Sequence, residues 1–332
     1  MPSMGGLKAF HDVLQILPPP FDELLAELPE TVRCRVEEIR IRQGRPLAVV
    51  LDGTDLFVDA HGQPSHDPRQ GYHPDAEAVR TLVGALSQWS IYAMEEELRH
   101  GFITLPGGHR VGVVGRVVTD GGLIRTQRSL TSLNVRISRE IVGAAEPLLK
   151  FLLRSGRPLS TLVIAPPQAG KTTLLRDLIR CLSEGYAPLG LRGHKVGVVD
   201  ERSELAACAQ GVPTHRLGPR TDVLDACPKA EGMILLIRSM SPEILVTDEI
   251  GRAQDTEALM EAVRAGVTVV ASAHGLGLPD LARRPSTRDL IAHGVFERVV
   301  VLGRSRGPGT VEAVFDDHGQ ALLTREQAAG SR

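Results

Sequence analysis

Ala165-Pro166-Pro167-Gln168-Ala169-Gly170-Lys171-Thr172 lies between an apolar run, Thr161 to Ile164, and the helix-like stretch Thr173-Leu174-Leu175. The spacing is that of a phosphate-binding loop, with Ala165 in place of the usual first glycine. Each residue type has a reason. A loop that wraps an anion must aim successive amide N–H groups inward, which requires a small residue at Gly170, and the helix that begins there offers its positive end to the same anion. Lys171 would then reach the β- and γ-phosphates of ATP, and the Thr172 hydroxyl would ligate Mg²⁺, a hard cation accustomed to phosphate oxygens. Thr173 closes this nucleotide-binding stretch, Ala165 to Thr173, as a helix-start residue rather than a second metal ligand.

A second signal, Glu243-Ile244-Leu245-Val246-Thr247-Asp248-Glu249-Ile250-Gly251-Arg252, delivers two carboxylates at the end of a buried strand, where ligands sit in open α/β sheets. Asp248 is expected to orient the Mg²⁺ through water, and Glu249 to polarise the attacking water. Splitting the roles suits phosphoryl transfer, which needs positioning and charge neutralisation. Two more clusters stand after strands: Asp200-Glu201-Arg202-Ser203-Glu204 and Ala273-His274-Gly275. Glu201 could help hold the water and His274 could sense the γ-phosphate; a solvated turn and a helix-entry histidine are their plainer readings.

These residues need a sheet to carry them. Thr161 to Ala165, Val196 to Val199, Ile244 to Thr247, Val267 to Ala271 and Val299 to Leu302 are apolar on both faces and separated by helical segments, as a doubly covered parallel sheet requires. Residues 141–323 are therefore expected to form an α/β domain. Residues 1–140 read as a smaller α+β domain. There, a helix from Leu7 to Leu17 is ended by Pro18-Pro19-Pro20, and a second runs from Phe21 to Leu28. Strands follow at Glu37 to Arg42, Leu47 to Leu51 and Asp55 to Val58, the last two joined by an Asp52-Gly53 hairpin turn. Gly62 to Tyr72 reads as an exposed loop, Asp75 to Leu86 and Tyr92 to His100 as helices, and Gly101 to Val118 as a hairpin about Pro106-Gly107-Gly108. The tail 324–332 is expected to be flexible.

Composition removes several classes. With 42% hydrophobic and 23% charged residues the 332-residue chain is neither disordered nor fibrous, and a formal charge of -2 gives no overall basic character for nucleic acid. Aromatic residues, 3% of the chain, are too few to suggest base-stacking platforms. No apolar stretch approaches the ~20 residues of a membrane-spanning helix, and Met1 to Phe10 lacks a signal peptide's apolar core, so a cytoplasmic location is expected. Cys34, Cys181, Cys208 and Cys227 form no zinc or disulfide pattern.

The motifs also resemble a known family. Glu37-Glu38-Ile39-Arg40-Ile41-Arg42-Gln43-Gly44-Arg45-Pro46-Leu47, Glu95-Glu96-Glu97-Leu98-Arg99-His100-Gly101, Leu105-Pro106-Gly107-Gly108-His109-Arg110-Val111-Gly112, Pro166 to Asp177, Val199 to Glu204 and Thr247 to Gly251 look like the stage III sporulation protein AA family. The resemblance spans about Phe21 to Leu302. More distantly the layout is similar to type II and type IV secretion and pilus-retraction ATPases, which join a PAS-like N-terminal domain to a RecA-like motor and work as hexameric rings. The resemblance implies a mother-cell ATPase that energises a secretion-like channel during endospore formation. Its partners would be copies of itself and the membrane proteins of that channel, at which it would dock peripherally.

In the distant relatives an acidic segment and a histidine segment serve the nucleotide site, and Asp200-Glu201 and Ala273-His274 fall where those would lie. Ring ATPases of this kind complete the site with an arginine from a neighbouring subunit; Arg110, Arg116, Arg125, Arg136, Arg139 and Arg252 are the candidates, each with a structural salt bridge as its alternative. Two other functions compete: a nucleic-acid-associated RecA-like ATPase, and a nucleotide-dependent switch with negligible turnover.

Overall fold

The computed structural model describes residues 4–87, 101–208, 211–281 and 283–324. The chain divides into two compact units, Met1–Glu140 with Ala207–Thr214, and Ile141–Ala206 with His215–Arg332.

The first unit opens with helices α1 (Met4–Leu14), α2 (Phe21–Ala26) and α3 (Glu30–Arg33). Its antiparallel sheet consists of β1 (Val36–Arg42), β2 (Ala48–Leu51), β3 (Thr54–Val58), β4 (Pro64–Ser65), β5 (Phe102–Leu105), β6 (His109–Asp120) and β7 (Leu123–Arg136), in the order β4-β3-β2-β1-β7-β6-β5. Helix α4 (Ala76–Ser87) precedes β5 in the chain and contacts β7. The alternation that marks β1 puts Ile39 and Ile41 into a core with Phe10, Phe21, Leu25, Leu47 and Val135, while Glu38 and Arg40 stay partly exposed. Asp52 and Gly53 both take positive φ, 47° and 76°, which is the backbone a two-residue hairpin needs.

Gly62 to Tyr72 is exposed only in part and is more ordered than a loop of its composition suggests. It contains β4 and a short 3₁₀ turn, Pro68–Gln70. Tyr72 pairs by both backbone groups, its N–H donating to Val58 O and its carbonyl accepting from Leu47 N, each at 2.7 Å. The helix expected at Tyr92 to His100 lies outside the described residues, as does 325–332. Thr324, expected to start the tail, instead ends a strand and pairs with Ala313.

Strands β6 and β7 exceed the expected hairpin. Val111, Val113, Leu133 and Val135 are buried at its base. Between Val114 and Thr131, β6 and β7 pair only with each other among the described residues, forming an arm with Val114, Val117 and Ile124 exposed.

The second unit begins with α5 (Glu146–Leu152) and a small hairpin, β8 (Leu153–Arg154) with β9 (Arg157–Pro158). Its main sheet takes β10 (Thr161–Ala165), β11 (Val196–Asp200), β12 (Thr221–Asp225), β13 (Ile244–Thr247), β14 (Thr268–His274), β15 (Arg298–Gly303), β16 (Thr310–Asp316) and β17 (Ala321–Thr324) in the order β12-β11-β13-β14-β10-β15-β16-β17. From β12 to β15 every pairing is parallel; β16 and β17 add an antiparallel edge. Strands β10, β11 and β13 are buried at every residue, as their largely apolar sequences require.

Among the described residues, four helices cover this sheet: α6 (Lys171–Glu184), α7 (Lys229–Met240), α8 (Ala253–Arg264) and α10 (Pro285–Ala292), with the short α9 (Leu278–Leu281) before α10. The crossover from β10 runs one way along the sheet to β11, whereas those from β12, β13 and β14 run the other way. With right-handed crossovers, α6 covers one face and α7, α8 and α10 the opposite one. Met233, Leu236, Ala258, Leu259 and Leu290 from those three helices accordingly share a core with Leu162, Ile164 and Leu245. Such a reversal of winding opens a crevice at the carboxyl ends of β10 and β14.

Candidate functional site

The end of β10 turns into α6 through residues 166–170. Gln168 and Gly170 have positive φ, 59° and 85°, and Gly170 is the residue before the helix. Glycine is required there for a second reason. A Cβ would lie 2.9 Å from Gly309 N and 3.1 Å from Gly309 Cα, and both are backbone atoms that cannot swing away. Lys171, the first helical residue, is nearly buried and directed at Glu249, its Nζ 3.3 Å from Oε1.

Glu249 follows β13 with φ 42°, the left-handed region that costs a non-glycine residue about 1 kcal/mol or more. Strand β14 holds it there: Glu249 N donates to Ser272 Oγ at 3.0 Å and Ile250 N to Ser272 O at 2.8 Å. Its carboxylate gathers three basic side chains. Oε1 meets Lys171 and, at 2.9 Å, His274 Nε2, while Oε2 accepts from an Arg202 guanidinium nitrogen at 2.7 Å. Burial works to raise its pKa, but the charges of Lys171, Arg202 and His274 outweigh burial and hold it below the usual carboxylate range.

Asp248 is the opposite case. It is 2% exposed and its Oδ1 has no hydrogen-bond partner among the described residues. Burial, against the opposing charge of Lys229, pushes its carboxyl up to about 6, with Asp200 and Glu249 adding to the rise. A buried, unsatisfied carboxylate oxygen is costly unless something else binds it. Thr172, partly exposed one residue beyond Lys171, also has no side-chain partner among the described residues. Asp248 and Thr172 are oxygen donors, which suits Mg²⁺.

The acidic segment after β11 does two jobs. Asp200 is fully buried and organises the following loop, Oδ1 accepting from Glu204 N and Oδ2 from Leu205 N and Ala206 N, all within 2.9 Å. Glu201 bonds Lys229 at 2.5 Å and faces Arg252 at 3.7 Å. Its pKa is lowered chiefly by the Lys229 hydrogen bond. Lys171, Glu249 and His274 thus come together as a group, whereas Glu201 is tied to Lys229. Among the arginine candidates, Arg136 faces Glu38 at 3.5 Å, Arg139 donates to Val36 O, and Arg110 lies over the Phe102 ring at 4.8 Å. Arg116 and Arg125 are exposed on the arm.

Sequence reasoning missed Arg202, Lys229 and Ser272. Arg202 and Ser272 lie inside segments already singled out, but nothing in their spacing reveals their partners. Lys229 left a clue: a lysine opening a helix opposes the positive N-terminal dipole and calls for nearby carboxylates.

The model of the family described as "Sporulation stage III, protein AA" matches residues 9–322. Stage III sporulation protein AA of Bacillus subtilis (strain 168) is 45% identical over 312 residues, covering 94% of this chain and 97% of that protein. The X-ray structure of the Legionella pneumophila ATPase DotB superposes with a TM-score of 0.52 at 15% identity, covering 80% of this chain and 72% of DotB. The crystal structure of the pilus retraction motor PilT with bound ADP gives a TM-score of 0.54 at 12% identity, covering 80% of this chain and 74% of PilT. Identity that low establishes the fold, an α/β RecA-like P-loop core preceded by a smaller α+β unit, and leaves the chemistry to the residues themselves. By the extent of its match, the chain belongs to the family of sporulation stage III protein AA.

Proposed function

We propose that the chain is an ATP-hydrolysing motor of the secretion-ATPase type, acting with Mg²⁺ to energise assembly of, or transport through, a membrane channel complex during endospore formation. One observation carries the reading. Lys171, at a helix N-terminus behind a tight loop, and Glu249, after a different strand, meet at 3.3 Å beside a buried carboxylate oxygen with no partner among the described residues.

In this reading residues 165–173 wrap the triphosphate, and Lys171 exchanges Glu249 for the β- and γ-phosphates, a denser anion. Glu249 is thereby freed to polarise the attacking water, with His274 orienting its carboxylate. Asp248 and Thr172 hold the Mg²⁺, which when bound supplies charge neutralisation at the phosphates. Glu201 acts through Lys229, keeping a positive charge beside Asp248. The family supports the sporulation setting and the fold supports a nucleotide-driven machine. No helix among the described residues is long and apolar enough to cross a membrane, so docking on membrane proteins would be peripheral.

The test separates binding from chemistry. Lys171→Ala should lose measurable ATP uptake by calorimetry. Glu249→Gln should bind ATP normally and hydrolyse it about 10²-fold or more slowly, the usual contribution of a positioned base. Normal turnover in either variant would remove the assignment.

A further inference from the structure

The strand on the other side of β10 carries a second set of candidate phosphate ligands. Strand β15 runs parallel to β10, with Ile164 opposite Val301, so the segment after β15 emerges at the same end of the sheet as the phosphate loop. That segment is Arg304-Ser305-Arg306-Gly307-Pro308-Gly309. It is not loose. Gly307 N donates to Arg304 O at 3.1 Å, Thr310 Oγ1 to Gly307 O at 2.7 Å and Ser305 N to Glu312 Oε1 at 3.3 Å.

The segment is fastened to the phosphate loop itself. Gly309 N donates to Ala169 O at 2.9 Å, and Gly309 backbone fills the space that any side chain at Gly170 would need. Gly307 and Gly309 have φ of 105° and 83°, conformations that leave this close approach to glycine. Both arginines are exposed, and neither guanidinium has a hydrogen-bond or ion-pair partner among the described residues. Three other arginines of this unit are committed: Arg202 to Glu249, Arg252 to Glu201 and Arg284 to Asp280.

The direction of the nucleotide follows from the sheet order. Glu249 and His274 come from β13 and β14, on one side of β10, so the γ-phosphate must point that way. The opposite end of the nucleotide, its α-phosphate and sugar, is then left on the side of β15. We propose that residues 304–309 form a second nucleotide-contacting loop in the same subunit, with Arg304 and Arg306 binding the α- and β-phosphates of a nucleoside di- or triphosphate. Arginine suits phosphate oxygens because its planar fork donates two parallel hydrogen bonds and keeps its charge. The proposal rests on the phosphate-loop reading above and adds a prediction which that reading lacks. Because the contact is to phosphates that ADP and ATP share, the loop must bind both about equally.

The experiment is calorimetry on the full chain with Mg²⁺-ADP and with a non-hydrolysable Mg²⁺-ATP analogue. The variants are Arg304→Gln with Arg306→Gln, and Arg304→Lys with Arg306→Lys. The glutamine pair should weaken both nucleotides about tenfold and by the same factor, and the lysine pair should recover part of that loss. Arg45→Gln with Arg69→Gln, two exposed arginines of the first unit, removes the same net charge and should change neither affinity. Wild-type affinity for ADP in the glutamine pair, or a loss confined to the triphosphate, overturns the loop and leaves the phosphate-loop reading intact. If the wild-type chain takes up neither nucleotide, the phosphate-loop reading fails and the loop proposal fails with it.

Discussion

Lys171, Arg202 and His274 reach Glu249 from the ends of three different strands, so the charge state of one carboxylate depends on the packing of the whole sheet. His109 shows the reverse, a titratable group governed by burial, with the charge of Asp12 opposing it only in part. It is 1% exposed, its Nδ1 accepts from Ser138 N at 3.1 Å, and its Nε2 has no partner among the described residues. Burial lowers its pKa from about 6.5 to about 4. The unfolded chain therefore takes up a proton below pH 6.5 that the folded chain refuses, so stability is full above that value and drains away as pH falls toward 4. At pH 4.5 the loss from this residue should be about 2 to 3 kcal/mol. Urea unfolding at pH 7 and pH 4.5 measures it, and His109→Gln, which can still accept from Ser138, should remove most of the difference from wild type. An unchanged difference would mean that other groups set the acid sensitivity.

At the scale of elements, α6 does more than open at Lys171. Leu174, Leu175, Leu178, Ile179 and Leu182 are buried, and apolar side chains of this size contribute about 2 kcal/mol each when fully covered. Its polar anchor is Asp177, 3% exposed, which accepts from Gly143 N, Ala145 N and Arg180 Nε at 3.0, 2.7 and 2.7 Å. Arg180 also pairs with Glu146 and Glu184. Asp177→Asn leaves a buried guanidinium short of its nearest counter-charge and should cost about 3 kcal/mol, read as a lower urea midpoint; a loss under about 0.5 kcal/mol would show the network to be dispensable. Arg180, three residues on, lies within the helical repeat, but the backbone partners of Asp177, Gly143 and Ala145, carry no sequence signature because they lie outside the helix. What the sequence does reveal depends on the same physics. The strands β10, β11, β13 and β15 are legible since a doubly covered strand must be apolar throughout. Thr221–Asp225 is not, because an edge strand can alternate with acids, and β16 and β17 are not, because Thr310–Asp316 and Ala321–Thr324 are half exposed. In the candidate site, the loop and the acid pair are legible by local spacing. The ion pairs of Arg202 and Lys229 and the fastening of Gly309 to Ala169 are not, since they join residues 47, 28 and 140 positions apart.

At the scale of the molecule, the proposed motor requires copies of the chain to act together. The Glu249→Gln protein with ATP and Mg²⁺ should trap nucleotide and persist as a closed ring, six chains by the secretion-ATPase reading. Native mass measurement decides it: a monomer under saturating nucleotide would count against the motor. Copies gathered into a ring are held at high local concentration, and the β6–β7 arm then matters in another way. Strands that lack a neighbour leave their outer peptide groups open, an invitation for identical strands to add and grow without limit. Here Arg116 stands across from Arg128, with Arg125 exposed nearby, so two arms brought edge to edge would set like charge against like. That fence is electrostatic and weakens beyond about 10 Å at 0.1 M salt. Concentrated salt should therefore turn this exposed apolar arm from self-avoiding to adhesive.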